Sequence, residues 1–345
     1  MRGETGAVPR IALVKLSALG DVVHALPVAR ALRARFPGAG LTWIVERREQ
    51  GILAGNPDLD QVIAVDTRLW RQEFRRPRGL LTVYDKIRGL TRRLRGGRFD
   101  VALDLQGLWK SGVITALTGA PLRVGLALGH CRERANVLFT TRRVTPAAEA
   151  VHVVEVNLAL LAALGITRAD VGTPVFPIAA DAGADAAAAR VLEEEGVKPE
   201  TLLVALLPGA GQDVKRWGVE GYRRVGDELA ERLGARLVVV WGPGEEPLAR
   251  AIAARMRGAP LVPPATSIPE MVALLRRAAL VVGGDTGPVH IAAALGVPTL
   301  GLYGPTSARR NGPYGARTAA VQSATGRMDG IGADAVLAAA EALVR

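Results

Sequence analysis

The chain has 345 residues, 49% of them hydrophobic and 4% aromatic, and a formal net charge of +11; it is long enough for two domains of ordinary size, each with a full core. A single cysteine, Cys131, excludes an internal disulfide and a multi-thiolate metal site, and four histidines (His24, His130, His152, His290) without HxxxH or HxH spacing predict no structural metal. No apolar run reaches the length of a membrane span, and the basic balance predicts a polyanionic partner: nucleic acid, an anionic membrane surface or an acidic substrate.

Residues 1–9 read as a loose tail, with no secretory signal, so a cytosolic protein is expected, peripheral at a membrane. Ile11 to Lys15 is a short buried strand, Leu16 to Asp21 a turn, and Val22 to Phe36 a helix stopped by Pro37-Gly38. Leu41 to Val45 and Gln61 to Val65 are further strands, with a short helix over Gly51 to Gly55 between them. This βαβαβ order predicts a doubly wound parallel sheet.

The stretch from Arg68 to Arg98 carries eleven Arg or Lys residues against two acids, Glu73 and Asp85, with Trp70, Phe74 and Tyr84 interleaved. It reads either as a solvated helix face or as a surface gripping anionic lipid or substrate, where each basic residue contributes ~1 kcal/mol. Phe99 to Leu105 is a strand followed by a turn, Gln106 to Gly112, into a helix. Leu122 to Leu126 is a short strand and Ala150 to Leu164 a helix, and Val171 to Pro177 reads as an interdomain linker.

The second half repeats the rhythm. Asp185 to Glu195 is a helix and Leu202 to Leu207 a strand, followed by the Gly-rich turn Pro208-Gly209-Ala210-Gly211. Val219 to Leu233, Pro247 to Met256 and Ile268 to Ala278 are helices; Ala235 to Trp241 and Leu261-Val262 are strands. Ala279 to Gly284 is a buried strand leading into Asp285-Thr286-Gly287-Pro288, where Pro288 suits the first turn of a helix ending near Gly296. Val297 to Tyr303 is the next strand, and Gly332 to Arg345 is helical. Two α/β domains are therefore predicted, over 1–175 and 176–325, with a C-terminal helix in 326–345, facing each other across a cleft at the carboxyl ends of their strands.

Several groups of residues could carry chemistry. Asp21, at the mouth of a helix, is either an N-cap or a general base, with Ser17 and Lys15 in the same turn. Lys215, Arg216 and Trp217 follow the Pro208–Gly211 turn, and cations beside such a turn suit a diphosphate. Thr286 and Gly287 open a helix whose free N–H groups and dipole favour a phosphate, with Asp285 and His290 beside them. Glu245 and Glu246 follow a strand end, where an acid either accepts from ribose hydroxyls or starts a helix. Neither GxxxxGK[ST] nor GxGxxG is present, which disfavours a P-loop enzyme and a dinucleotide oxidoreductase.

Together, Lys15-Leu16-Ser17-Ala18-Leu19-Gly20-Asp21-Val22-Val23-His24, Asp104-Leu105-Gln106-Gly107-Leu108-Trp109-Lys110-Ser111, Pro208-Gly209-Ala210 with Lys215-Arg216-Trp217, Asp285-Thr286-Gly287-Pro288-Val289-His290 and Tyr303-Gly304-Pro305-Thr306 resemble the ADP-heptose:lipopolysaccharide heptosyltransferases of glycosyltransferase family 9, from about residue 10 to 315. The first two blocks look more like heptosyltransferase I. Ala210 and Gly211 stand where that subgroup usually has two threonines, closer to heptosyltransferase II, and Ala18 replaces a serine. The resemblance implies a GT-B fold, with an N-terminal acceptor domain and a C-terminal nucleotide-sugar domain, and an inverting, metal-independent transfer without cofactor. It implies Asp21 as general base and Lys215 as the cation on the leaving diphosphate. The donor, ADP-heptose, would meet Ser17, Gly209, Ala210, Gly211, Glu246, Thr266, Asp285, Thr286, Gly287 and His290. The acceptor would be a phosphorylated Kdo-lipid A core at the inner face of the cytoplasmic membrane, met by Gln106, Lys110, Arg68, Arg71, Arg75 and Arg76. Other acceptors or nucleotide sugars within the family remain alternatives, as does a non-catalytic polyanion-binding protein. Few aromatics and no RRM, KH or helix-turn-helix signature count against nucleic acid.

Overall fold

The computed structural model describes residues 8–67, 73 and 79–344; the expected contacts at Arg68, Arg71, Arg75 and Arg76 lie outside the described residues. The chain divides into two compact units, Met1–Pro177 and Ile178–Arg345. The division falls at the end of the proline-bearing stretch read as a linker.

In the first unit the order is β1 (Arg10–Val14), α1 (Leu19–Val23), α2 (Leu26–Arg35), β2 (Gly40–Glu46), β3 (Gln61–Val65), α3 (Gly79–Gly96), β4 (Val101–Asp104), α4 (Trp109–Leu117), β5 (Leu122–Leu126), β6 (Arg142–Val144), α5 (Val153–Ala159) and α6 (Arg168–Val171). The strands form one sheet in the order β3-β2-β1-β4-β5-β6, parallel throughout. Strands buried on both faces need continuous apolar runs, which is what Ile11 to Val14 and Val101 to Leu103 supply. Edge strand β6 has no such run, because Arg142 and Arg143 face solvent, and for that reason it escapes a hydrophobic reading of the sequence. The helix expected over Val22 to Phe36 is two helices: Pro27 sits in the first turn of α2, where its missing N–H costs nothing, and the chain breaks between Val23 and Leu26. Asp21 consequently lies inside the short helix α1, at its third position, rather than at its cap.

The second unit runs α7 (Ala182–Glu194), β7 (Leu203–Leu207), α8 (Val219–Leu233), β8 (Arg236–Val239), α9 (Glu246–Ala253), α10 (Ile268–Arg276), β9 (Leu280–Gly284), α11 (Gly287–Ala294), β10 (Thr299–Tyr303), α12 (Ala308–Asn311), β11 (Thr318–Gln322) and α13 (Ala333–Val344). Its parallel sheet has the order β11-β10-β9-β7-β8. The strand expected at Leu261-Val262 is a single bridge from Leu261 to Val238. Helix α13 belongs to this unit's core through Val336, Leu337 and Ala340. In that core Trp217 meets Tyr222 edge-on at 5.1 Å, a favoured aromatic geometry. Both polar tips are satisfied: Trp217 Nε1 donates to Ile331 O (3.1 Å) and Tyr222 Oη to Leu207 O (3.0 Å). The pair therefore props the end of β7 and the turn that follows.

Both sheets reverse strand order once next to their first strand, between β1 and β4 and between β7 and β9. At such a switch point the flanking connections leave the sheet on opposite sides, and a crevice opens at the carboxyl ends. The β7–β9 approach is close enough to demand glycine: a Cβ on Gly283 would lie 2.7 Å from Leu207 Cβ and 3.0 Å from Leu207 O. Gly283→Ala is expected to destabilise the protein by about 1–3 kcal/mol through overpacking, read as a lowered denaturation midpoint in urea.

Candidate active site

In the first unit the turns after β1 and β4 are tied across the switch point. Lys15, buried beneath them, donates Nζ to Leu105 O at 2.6 Å. Gln106, also buried, accepts at Oε1 from Leu16 N (2.9 Å) and Ser17 N (3.2 Å), and its Nε2 donates to Ser17 O. The sequence places Gln106 against an acceptor; in the structure its amide binds the β1–α1 turn. Ser17, expected at the donor, lies in this turn of the first unit, half-buried.

Asp21 follows. Its Oδ1 pairs with Arg132 Nη2 at 3.0 Å, and Oδ2 accepts from Ala18 N at 3.3 Å. Burial works against its ionised form, but the nearby charges of Lys15 and Arg132 and the two hydrogen bonds outweigh it, holding the carboxyl below the usual carboxylate range. Arg132 is a residue that sequence reasoning misses. The available signal is its place, six residues past the end of β5, at the carboxyl edge of the sheet. Lys110, in the first turn of α4, reaches within 3.8 Å of Glu46 Oε1.

In the second unit three strand ends contribute. After β7 the chain turns through Pro208-Gly209-Ala210-Gly211. The carboxylate of Glu245 fills the space above Gly209, where a Cβ would lie 1.9 Å from Oε2, so a side chain there would displace this acid. Glu245 Oε2 also accepts from Gly242 N at 2.9 Å. Of the two adjacent acids, Glu245 faces the Gly-rich turn, while Glu246 pairs with Arg250 one helical turn on at 2.8 Å. Ala210 is buried, and its carbonyl accepts from Arg216 Nη2 at 3.3 Å. Thr266 stands half-buried just before Ser267, the N-cap of α10.

Lys215 brings the first strand end to the second: its Nζ donates to Asp285 Oδ2 at 2.7 Å. Asp285 Oδ1 lies 3.3 Å from Nε2 of the buried His290. Burial would push the Asp285 carboxyl up, but His290 and the Lys215 ammonium hold it far below the usual carboxylate range. Thr286 caps α11 without a side-chain hydrogen bond to the helix, so the first-turn N–H groups at Gly287 keep no side-chain partner from it. Its Oγ1 is buried with no hydrogen-bond partner among the described residues, and so is Oγ1 of Thr306, after β10. A cation, a Gly-rich turn and an open helix N-terminus thus converge at one switch point, an arrangement that neutralises and cradles an anion.

The depressed Asp285 carboxyl has a consequence for stability. Its folded-state pKa lies below the unfolded value of 3.8, so its contribution is complete above that pH and is lost as pH falls through the acid range toward the folded value. Asp285→Asn should flatten the loss of stability between about pH 5 and about pH 2, measured by urea unfolding at each pH.

The glycosyltransferase family 9 (heptosyltransferase) model matches residues 87–336. The lipopolysaccharide heptosyltransferase 1 of Pseudomonas aeruginosa is 32% identical over 308 residues, covering 89% of this chain and 81% of that protein. That of Escherichia coli K12 is 29% identical, covering 89% and 91%. Among solved structures, E. coli heptosyltransferase WaaC with ADP superposes with a TM-score of 0.80 at 26% identity, covering 97% of this chain and 99% of that one. These matches agree with the two parallel-sheet α/β units, which are of the GT-B class. The chain belongs to glycosyltransferase family 9, the heptosyltransferases.

Proposed function

We propose that this enzyme transfers heptose from ADP-heptose to a phosphorylated, Kdo-bearing lipid A inner core, with inversion at the anomeric carbon and without a metal. The observation that carries the reading is the Lys215–Asp285–His290 constellation at the mouth of α11, beside the Pro208–Gly211 turn. A diphosphate placed there meets the Lys215 ammonium and the free N–H groups at Gly287, while Glu245 stands over the same turn within reach of a ribose.

In this mechanism Asp21 accepts the proton of the acceptor hydroxyl as that oxygen attacks the anomeric carbon. The bond from that carbon to the diphosphate oxygen breaks on the opposite face, and ADP departs with its growing charge balanced by Lys215. This route requires Asp21 to reach the anomeric carbon of the bound sugar. As it stands, Asp21 is a weak base, because Lys15 and Arg132 favour its ionised form. A phosphate on the acceptor would compete for Arg132, and as the guanidinium turns toward that phosphate the basicity of Asp21 rises. Acceptor binding then switches on the base.

An anionic acceptor also suits the +11 charge and the Arg68–Arg98 segment. No helix among the described residues is long and apolar enough to cross a membrane; a lipid-linked acceptor would be met from the inner face of the cytoplasmic membrane. A heptosyl-bearing acceptor is the second reading, favoured by Ala210 and Gly211 in the donor turn.

Asp21→Asn should keep ADP affinity, since the diphosphate site lies in the other unit, and lose turnover by about 100-fold or more. Near-normal turnover would remove Asp21 from the chemistry. Lys215→Ala should weaken ADP binding about tenfold or more, the worth of a charge-assisted hydrogen bond. Transfer assays with ADP-heptose on Kdo-lipid A and on heptosyl-Kdo-lipid A decide between the two acceptors, and a purified protein that fails to bind ADP would overturn the proposal.

A further inference from the structure

We infer that Gln106 is a positioning residue for Asp21, set in place by a buried hub centred on the Asp104 carboxyl. The inference rests on the reading of Asp21 as the base. Asp104 is fully buried at the end of β4, and all its bonding capacity faces the chain. Oδ1 accepts from Gln106 N at 2.9 Å and Gly107 N at 3.0 Å. Oδ2 accepts from Ser111 Oγ at 2.9 Å and Asn136 Nδ2 at 2.6 Å. One carboxyl thereby orients the turn that carries Gln106, the first turn of α4, and the segment after Arg132.

Gln106 passes this order on. Its side chain makes three hydrogen bonds to Leu16 and Ser17, using both Oε1 and Nε2. The next residue, Ala18, donates its N–H to Asp21. Asn136 fixes the other side, because it lies four residues past Arg132, the partner of Asp21, and its Nδ2 also donates to Leu108 O at 2.8 Å. The carboxyl of Asp21 is thus held between two segments that both hang from Asp104. Both oxygens of Asp104 and both polar atoms of Gln106 are engaged with the chain itself, which is what a positioning role requires. Placement is what counts here: a displacement of about 1 Å at a reacting group can cost a factor of about 100 in rate.

The charged groups that face Asp21 are Lys15, from its own turn, and Arg132, from the connection after β5. Without the Gln106 amide the turn loosens, and Asp21 gives up the Ala18 N–H and its fixed place beside both cations. Its pKa then rises.

The test uses Gln106→Met, which keeps the length and apolar stem and removes all three hydrogen bonds, in the full chain. Expected are a fall in kcat of about ten- to hundredfold, an unchanged KM for the nucleotide sugar, unchanged ADP affinity, and an acidic limb of the kcat–pH profile displaced to higher pH. Gln106→Glu keeps acceptor oxygens for Leu16 N and Ser17 N and should retain more turnover than Gln106→Met. Wild-type kcat and an unshifted profile in Gln106→Met would overturn the inference. So would a loss of activity matched by a loss of folded protein in thermal unfolding, with the remaining fraction keeping the wild-type pH profile, since that is scaffold alone. Asp21→Asn, run alongside, separates the two levels: near-normal turnover there defeats the base assignment itself, whereas an inactive Asp21→Asn with a normal Gln106→Met defeats only the positioning role.

Discussion

The reversal of strand order beside β1 and beside β7 governs this protein. A parallel strand must be followed by a right-handed crossover, so its carboxyl end always delivers a turn and a helix start to one edge of the sheet. Where successive crossovers leave on opposite faces, the two turns separate and their backbone groups face open space. The turns at those places carry Ser17 to Asp21 opposite Gln106 in the first unit, and Gly209 to Lys215 opposite Asp285 to Gly287 in the second. The apolar sheet below supplies rigidity, and the rim supplies polarity.

The two rims solve different electrostatic problems with the same materials. Each sets a lysine against an aspartate. In the second unit the lysine touches the aspartate directly, and the pair sits beside an open helix start, so added negative charge finds a cation already in place. In the first, Lys15 donates to a carbonyl and its charge favours the Asp21 anion, while Arg132 pairs with Asp21 directly. Arg132 is the more exposed of that pair, with 39% of its side chain open against 18% for Asp21. The open side of the pair is therefore the guanidinium, which solvent or an anion can reach more readily than the carboxylate.

Much of this is legible in the residues. Strands such as Ile11 to Val14 and Leu280 to Gly284 announce themselves because both faces are buried and the apolar run is unbroken. The turns announce themselves through Gly209 and Asp285-Thr286-Gly287-Pro288, a glycine after a strand in each case and a proline in the first helical turn in the second. What stays hidden depends on neighbours far apart in the chain. Whether Glu245 or Glu246 faces the Gly-rich turn is a matter of helix phase at the start of α9, which no local pattern states. Gln106 reads as a polar residue in a ligand-facing turn; that both ends of its amide are engaged emerges only when β1 and β4 are neighbours. Arg132 and Asn136 lie in a connection without periodicity, β6 is an edge strand too polar for an apolar signature, and β11 is a short, half-exposed edge strand of small residues.

The spans of these hydrogen bonds bear on how the enzyme comes into being. Lys15 meets Leu105, Leu16 meets Gln106, and Asp104 meets Asn136, across separations of 90, 90 and 32 residues. Pairings of such range cannot form while the chain is short, and they close only after the entropy of long loops has been overcome. The β1–α1 turn is made before β4 and the segment beyond β5, and the hydrogen bonds that fix it wait for both to dock. Its geometry is therefore a late product of folding, and an ordered Asp21 certifies that the sheet around it is complete. A nascent or truncated first unit would carry Asp21 without the hydrogen bonds that fix its turn.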